Sequence, residues 1–459
     1  MRGVVSGLAC VLLVVFSGLS LSAQQPARVF RAGAAEVDIT PSFLFDSPSC
    51  LLLTVGVPMG GYPRLPPLAF GVHDPLCATA IVMDDGEDRI AMVSVDMVYP
   101  GASMRDDVCR EIAQETGITG DNLMLCATHD HSSVEPDFNL PRVKREIVER
   151  ISAAAIEASD GLRPARIGVG TGYEDGLTMN RRHPGVGPID PELGVIRIDE
   201  DDGNPIAVMV NFDAHATVIR QNNFLLSAEY PGCMRQAVRD ELGDDVVVLF
   251  SNGAEGDVET TALRRAYDSD FTARRQYEAA REVGERLAGD VLGVWAGIET
   301  APFADVEASV ERVRLPRPRI SRYVTWALLT RQGVEVSEQH IPALPFDIPL
   351  PSAASRVIPM LRSEAVVQAM RLGDAVVVAL PGEPFVETGL SIKERSEALG
   401  FSSALVVGVA NDYIMYVPTG EEYSKGGYEP GMCFYGPQLS SLIEEGALRA
   451  VASVSGSTV

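Results

Sequence analysis

Four short apolar runs in this chain each break into a polar cluster at their C-terminal end, and this repetition constrains the fold more than any other feature. Residues 122–127 lead into Thr128-His129-Asp130-His131, and 206–212 into Asp213-Ala214-His215. Residues 375–380 lead into Pro381-Gly382-Glu383, and 404–409 into Asn411-Asp412-Tyr413. Apolar runs of this length, bounded by Gly, Pro, Asn or Asp, read as buried strands. Helical spacing at 103–116, 143–158, 233–242 and 272–292 alternates with further strand-like runs at 78–83, 90–95, 166–169, 193–198 and 246–250. The expectation is an α/β fold: one large domain of mixed β-sheets flanked by helices, with an active site at strand ends. Strand ends are where such folds gather distant side chains on a rigid base. No internal repeat or low-complexity linker divides the chain. The Pro-rich stretch 315–350 reads as a lid or surface excursion.

Arg2 precedes a nearly uncharged apolar stretch over residues 3–21, followed by small residues up to Ala23. That order predicts an export signal over residues 1–23, leaving a domain of 24–459 that is periplasmic or secreted. A retained anchor is the competing reading, because the apolar length approaches the ~20 residues that span a bilayer. Lys and Arg number 38 against 63 Asp and Glu, a formal charge of −25. Such a surface repels phosphate backbones and anionic headgroups, which excludes nucleic acid as a partner. Cys50, Cys77, Cys109, Cys126, Cys233 and Cys433 show no CxxC spacing, so a cysteine zinc site is disfavoured. An oxidising compartment permits one or two disulfides, but spacing does not identify them.

The chain has six histidines. His129 and His131 are two apart at a strand end, so in extended conformation both imidazoles face the same way. His215 follows another buried strand, and Glu383 follows a Gly turn after a third. Zinc takes imidazole nitrogen and carboxylate oxygen in tetrahedral geometry, and catalytic sites leave one position for water. Against this stand two solvated loop histidines and a helix-terminal carboxylate at Glu383. Tyr413, Tyr416, Tyr423 and Tyr428 crowd one segment, readable as packing surface or as phenols aimed at a metal or oxyanion. His73, His183 and His340 read as surface or structural histidines.

Taken together, these motifs resemble the neutral/alkaline non-lysosomal ceramidase family. The resemblance runs from Gly33 to Tyr435 through Pro58-Met59-Gly60-Gly61-Tyr62, His129-Asp130-His131-Ser132 and Asn211 to Thr217. It continues through Ser227-Ala228-Glu229-Tyr230-Pro231-Gly232, Ser251-Asn252-Gly253 with Gly256-Asp257, Leu380 to Glu383, and Asn411 to Glu429. It implies one zinc per chain held by His129, His215, Glu383 and Tyr416, with His131, Arg181 and Tyr428 lining the substrate amide. Arg182 is the alternative to Arg181, because Asn180-Arg181-Arg182-His183 departs from the family pattern. The implied activity is zinc-dependent hydrolysis of the N-acyl amide of ceramide or a related N-acyl lipid, compatible with peripheral membrane contact. Ser132-Ser133-Val134-Glu135-Pro136 stands where the family carries a Gly-rich turn, and the resemblance covers the catalytic N-terminal domain without the family's C-terminal β-sandwich. These departures keep open a zinc hydrolase for a smaller or more polar amide or ester. A non-catalytic metal-binding protein is the reading from another class.

Overall fold

The computed structural model describes residues 28–42, 57–61, 68–135, 141–174, 176–220, 222–262, 273–319 and 361–456. The predicted signal, Cys50, Tyr62, His340 and nearly all of the Pro-rich stretch lie outside the described residues. Two sheets dominate. The larger has eight strands: β1 (Arg31–Asp38), β2 (Cys77–Asp84), β3 (Arg89–Val95), β4 (Leu123–Ala127), β5 (Arg163–Tyr173), β6 (Glu192–Glu200), β7 (Pro205–Phe212) and β8 (Val247–Asn252). Their spatial order is β8-β7-β6-β5-β1-β2-β3-β4. The smaller comprises β9 (Val306–Arg314), β10 (Glu364–Leu372), β11 (Ala375–Ala379) and β12 (Ser403–Val407), in that order.

Most neighbours in these sheets are antiparallel, but three pairs are parallel: β3 with β4, β7 with β8, and β11 with β12. A parallel connection needs a crossover, and each has a helix. These are α1 (Ala102–Thr116), α3 (Glu229–Leu242) and α5 (Val386–Ala398), with α2 (Pro141–Asp160) and α4 (Ala273–Gly297) also in the helical layers. Parallel partners end on the same side, so each pair offers two C-terminal ends to one place. The β8 edge folds back on β3 and β4: Ser94 Oγ donates to the Phe250 carbonyl at 2.5 Å, and Asn252 Nδ2 to that of Thr128 at 2.6 Å.

Ile81, Met92, Met124, Ile196 and Met209 from the larger sheet meet Met370, Val377 and Leu405 from the smaller in one buried cluster. The sheets therefore pack face to face, with helices outside. The residues Tyr230, Met234 and Val238 of α3 and Val283, Leu287 and Val291 of α4 cover Val208, Val210 and Phe250. The predicted α/β class, mixed sheets and flanking helices agree with this architecture. Some boundaries move. The helix expected from Cys233 starts at Glu229, since Pro231 falls in the first turn, where its missing N–H costs nothing. The helix expected to end at Leu292 runs on to Gly297.

Among the described residues Cys77, Cys109, Cys126, Cys233 and Cys433 are free thiols. No helix among the described residues is long and apolar enough to cross a membrane.

Candidate metal centre

His129 comes two residues after β4, His215 three after β7, and Glu383 four after β11. The sheet arrangement brings these three buried side chains together, each offering one ligand atom within 4.8 Å of the others. Glu383 pairs in parallel register with Tyr416, so the two share a face of a short ladder. His215 Nε2 lies 3.1 Å from Glu383 Oε2, His129 Nε2 lies 3.5 Å from the same oxygen, and Tyr416 Oη lies 3.5 Å from His215 Nε2.

The outward-facing ring nitrogens fix what the inward ones can do. His129 Nδ1 donates to the Val98 carbonyl at 2.7 Å and His215 Nδ1 to that of Val258 at 3.0 Å. A carbonyl only accepts, so in a neutral ring the proton sits on Nδ1 and Nε2 presents a bare lone pair. Burial, with Arg181 nearby, pushes the His215 imidazole down to about 4, against the pull of Glu383. Two imidazole lone pairs and a carboxylate oxygen thus converge in a buried space. Such a donor set repels itself unless a cation occupies the centre, and nitrogen–oxygen ligation suits zinc.

His131 lies beside this group, its Nε2 3.3 Å from His129 Nε2. Burial, reinforced by His129 and His215, keeps its imidazole well below the usual value and therefore neutral. Gly61 packs against it: a Cβ there would lie within 2.1 Å of His131 Nδ1. The two arginines have separated. Arg181 Nη2 donates to Tyr416 Oη at 2.9 Å and to the Gly256 carbonyl at 2.8 Å, while Glu259 and Glu429 neutralise its charge at 3.2 and 2.9 Å. Arg182 instead pairs with Glu422 at 2.9 Å and Glu429 at 2.7 Å, leaving Arg181 as the one facing the cluster. The half-buried Tyr428 ring meets Tyr416 edge to face at 5.7 Å.

The segment 409–416 is forced into place. Val409, Asn411 and Met415 have φ of 46°, 62° and 67°, and His129 has 57°. Non-glycine residues seldom adopt this left-handed region, and it persists where surroundings over-determine it. Here they do: Asn411 N donates to the Leu125 carbonyl at 2.7 Å, Val409 N to that of Gly382 at 2.8 Å, and Glu383 N to that of Met415 at 3.0 Å.

Sequence reasoning placed Tyr413 among the crowded phenols but gave it no role of its own; its hydroxyl donates to Glu383 Oε1 at 2.5 Å. The crowding of tyrosines was a signal for the segment but did not distinguish Tyr413 from Tyr416. Tyr99, stacked on Tyr413, and Glu259, paired with Arg181, carried no sequence signal. Glu135, from the loop that stands where the family carries a Gly-rich turn, is buried and accepts from Tyr99 Oη at 2.8 Å. His73 stacks on Tyr277 at 3.7 Å, and His183 pairs with Glu422 at 3.2 Å, both away from the cluster.

Comparison with known proteins places this geometry in context. A family profile described as the N-terminal part of neutral/alkaline non-lysosomal ceramidase matches residues 53–274 and 323–444. A neutral ceramidase of Mycobacterium tuberculosis is 23% identical, the alignment covering 87% of this chain and 75% of that protein. One from Pseudomonas aeruginosa is also 23% identical, over 95% of this chain and 73% of its own. The crystal structure of the neutral ceramidase from Pseudomonas aeruginosa superposes with a TM-score of 0.75 at 20% identity, covering 93% of this chain and 75% of that one. A structure described as ceramidase complexed with C2 gives a TM-score of 0.76, also at 20% identity. At that identity the structural likeness speaks for the fold.

Proposed function

The chain belongs to the neutral/alkaline non-lysosomal ceramidase family, and from that premise we propose an exported, zinc-dependent amidohydrolase that cleaves the N-acyl amide of ceramide or a related N-acyl lipid. The observation that carries this reading is the inward convergence of His129 Nε2, His215 Nε2 and Glu383 Oε2 in a buried space. Tyr416 is proposed as the fourth ligand, one zinc being held per chain. Zinc bound there would bring the pKa of a water molecule down to about 7 and would polarise a carbonyl.

The residues around it supply the remainder. His131 is neutral and adjacent, so it accepts a proton as the nucleophile attacks and passes it to the leaving amine. Tyr428 donates from its hydroxyl to the carbonyl oxygen as negative charge develops, a contribution of roughly 2.7–4 kcal/mol for one such donor. Arg181 spends most of its donors on the protein, and its bond to the Tyr416 phenol holds that oxygen toward the centre. Its influence on the amide therefore runs through the Tyr416 phenol that it orients.

Substrate breadth is tested by assaying purified protein against long-chain ceramides and short N-acyl amines side by side. The proposal expects the ceramides to be cleaved with the higher kcat/KM. Preference for the short, water-soluble amides would overturn the lipid assignment while sparing the metal site.

A further inference from the structure

Glu383 uses its two carboxylate oxygens differently. Oε2 faces both histidine Nε2 atoms, whereas Oε1 accepts the Tyr413 hydroxyl at 2.5 Å. The Tyr413 ring lies nearly parallel to that of Tyr99, with centroids 4.0 Å apart and planes 5° apart. Tyr99 is in turn held by its hydroxyl bond to Glu135 Oε1 at 2.8 Å. All four side chains are buried.

We infer that Tyr413 is a positioning residue of the metal centre: its hydroxyl, braced by the Tyr99 stack, fixes Glu383 so that one oxygen alone is presented to the ion. A carboxylate with both oxygens unconstrained swings between one-oxygen and two-oxygen ligation. A hydrogen bond at Oε1 sets an energetic cost on that swing and keeps a coordination position open for water. The brace shares its origin with another ligand. Val98, one residue before Tyr99, accepts the Nδ1 proton of His129, so two consecutive residues after β3 orient two of the three convergent groups. The β8 side repeats the device: Val258 orients His215, and Glu259 holds the Arg181 that binds Tyr416.

The inference rests on the metal reading proposed above, and its test separates the two. Tyr413→Phe keeps the ring and its stack and removes only the hydroxyl. Zinc affinity, measured by chelator competition on metal-depleted and reloaded protein, is expected to weaken by about 10–100-fold, as for other residues that hold a ligand in place. The cobalt(II)-substituted protein is expected to show shifted ligand-field absorption bands, which a purely structural role would leave unchanged. Should Tyr413→Phe fail to fold, Tyr99→Leu removes the stack from one step further away and is expected to weaken zinc affinity in the same direction, and less. Zinc affinity and cobalt spectra equal to wild type in the folded variant would overturn the inference alone. A wild-type protein that takes up no divalent ion would overturn the metal reading together with it.

Discussion

The site's chemistry is decided by which proton each imidazole and phenol carries. Val98 and Val258 hold the Nδ1 protons of His129 and His215, so the inward nitrogens present lone pairs to the centre. Tyr428 stands apart from that set, in edge contact with Tyr416 and only half buried. Tyr428→Phe is therefore expected to retain zinc while kcat drops by about 10²–10³-fold, the usual consequence of losing one oxyanion donor. Steady-state kinetics with metal analysis checks this, and unchanged kcat would make Tyr428 a packing residue. His129, His215 and Glu383 were legible in the sequence because each follows an apolar strand with a turn, where a buried polar residue has few structural reasons to be. Tyr99 and Glu259 were illegible because their roles exist only through partners 314 and 78 residues away in sequence (Tyr413 and Arg181).

Three parallel strand pairs, each closed by a helix, deliver their C-terminal ends to one place, and the left-handed segment from Val409 to Met415 threads between them. The tyrosine-bearing stretch beyond is tethered at Glu422, in the helix Gly420–Lys425, by Arg182 Nε at 2.9 Å, His183 Nε2 at 3.2 Å and Lys425 Nζ at 2.6 Å. Burial raises the Glu422 carboxyl, but these bonds overcome it and bring the pKa from 4.5 down to about 2. A depressed folded-state pKa stabilises the fold fully above 4.5, and that stability is lost as pH falls through about 2. Thermal midpoints of wild type are thus expected to drop more steeply than those of Glu422→Gln between those pH values. Parallel curves would show that the tether contributes nothing.

The apolar strands and amphipathic helices were legible from period alone. The central strand β1 was not, because Arg-Ala-Gly-Ala-Ala-Glu-Val-Asp is poor in β-branched residues. Its place is set by tertiary fit: Gly33 packs where a Cβ would fall 2.1 Å from the Ala158 carbonyl of α2.

At the scale of the molecule, two facing sheets with helices outside make a frame in which His129, His215 and Glu383 meet from across the sequence. The formal charge of −25 leaves neutral lipids and amides as more suitable partners than polyanions. Export of a 24–459 domain is proposed from the same N-terminal reading as before. The proposed hydrolysis requires one ion held by those side chains. The most direct measurement is zinc content per chain together with ceramide hydrolysis, on the same preparations of wild type and His215→Ala. One zinc and activity in wild type, with both lost in the folded variant, is the predicted result. Hydrolysis that persists in His215→Ala after its zinc is gone would contradict the account.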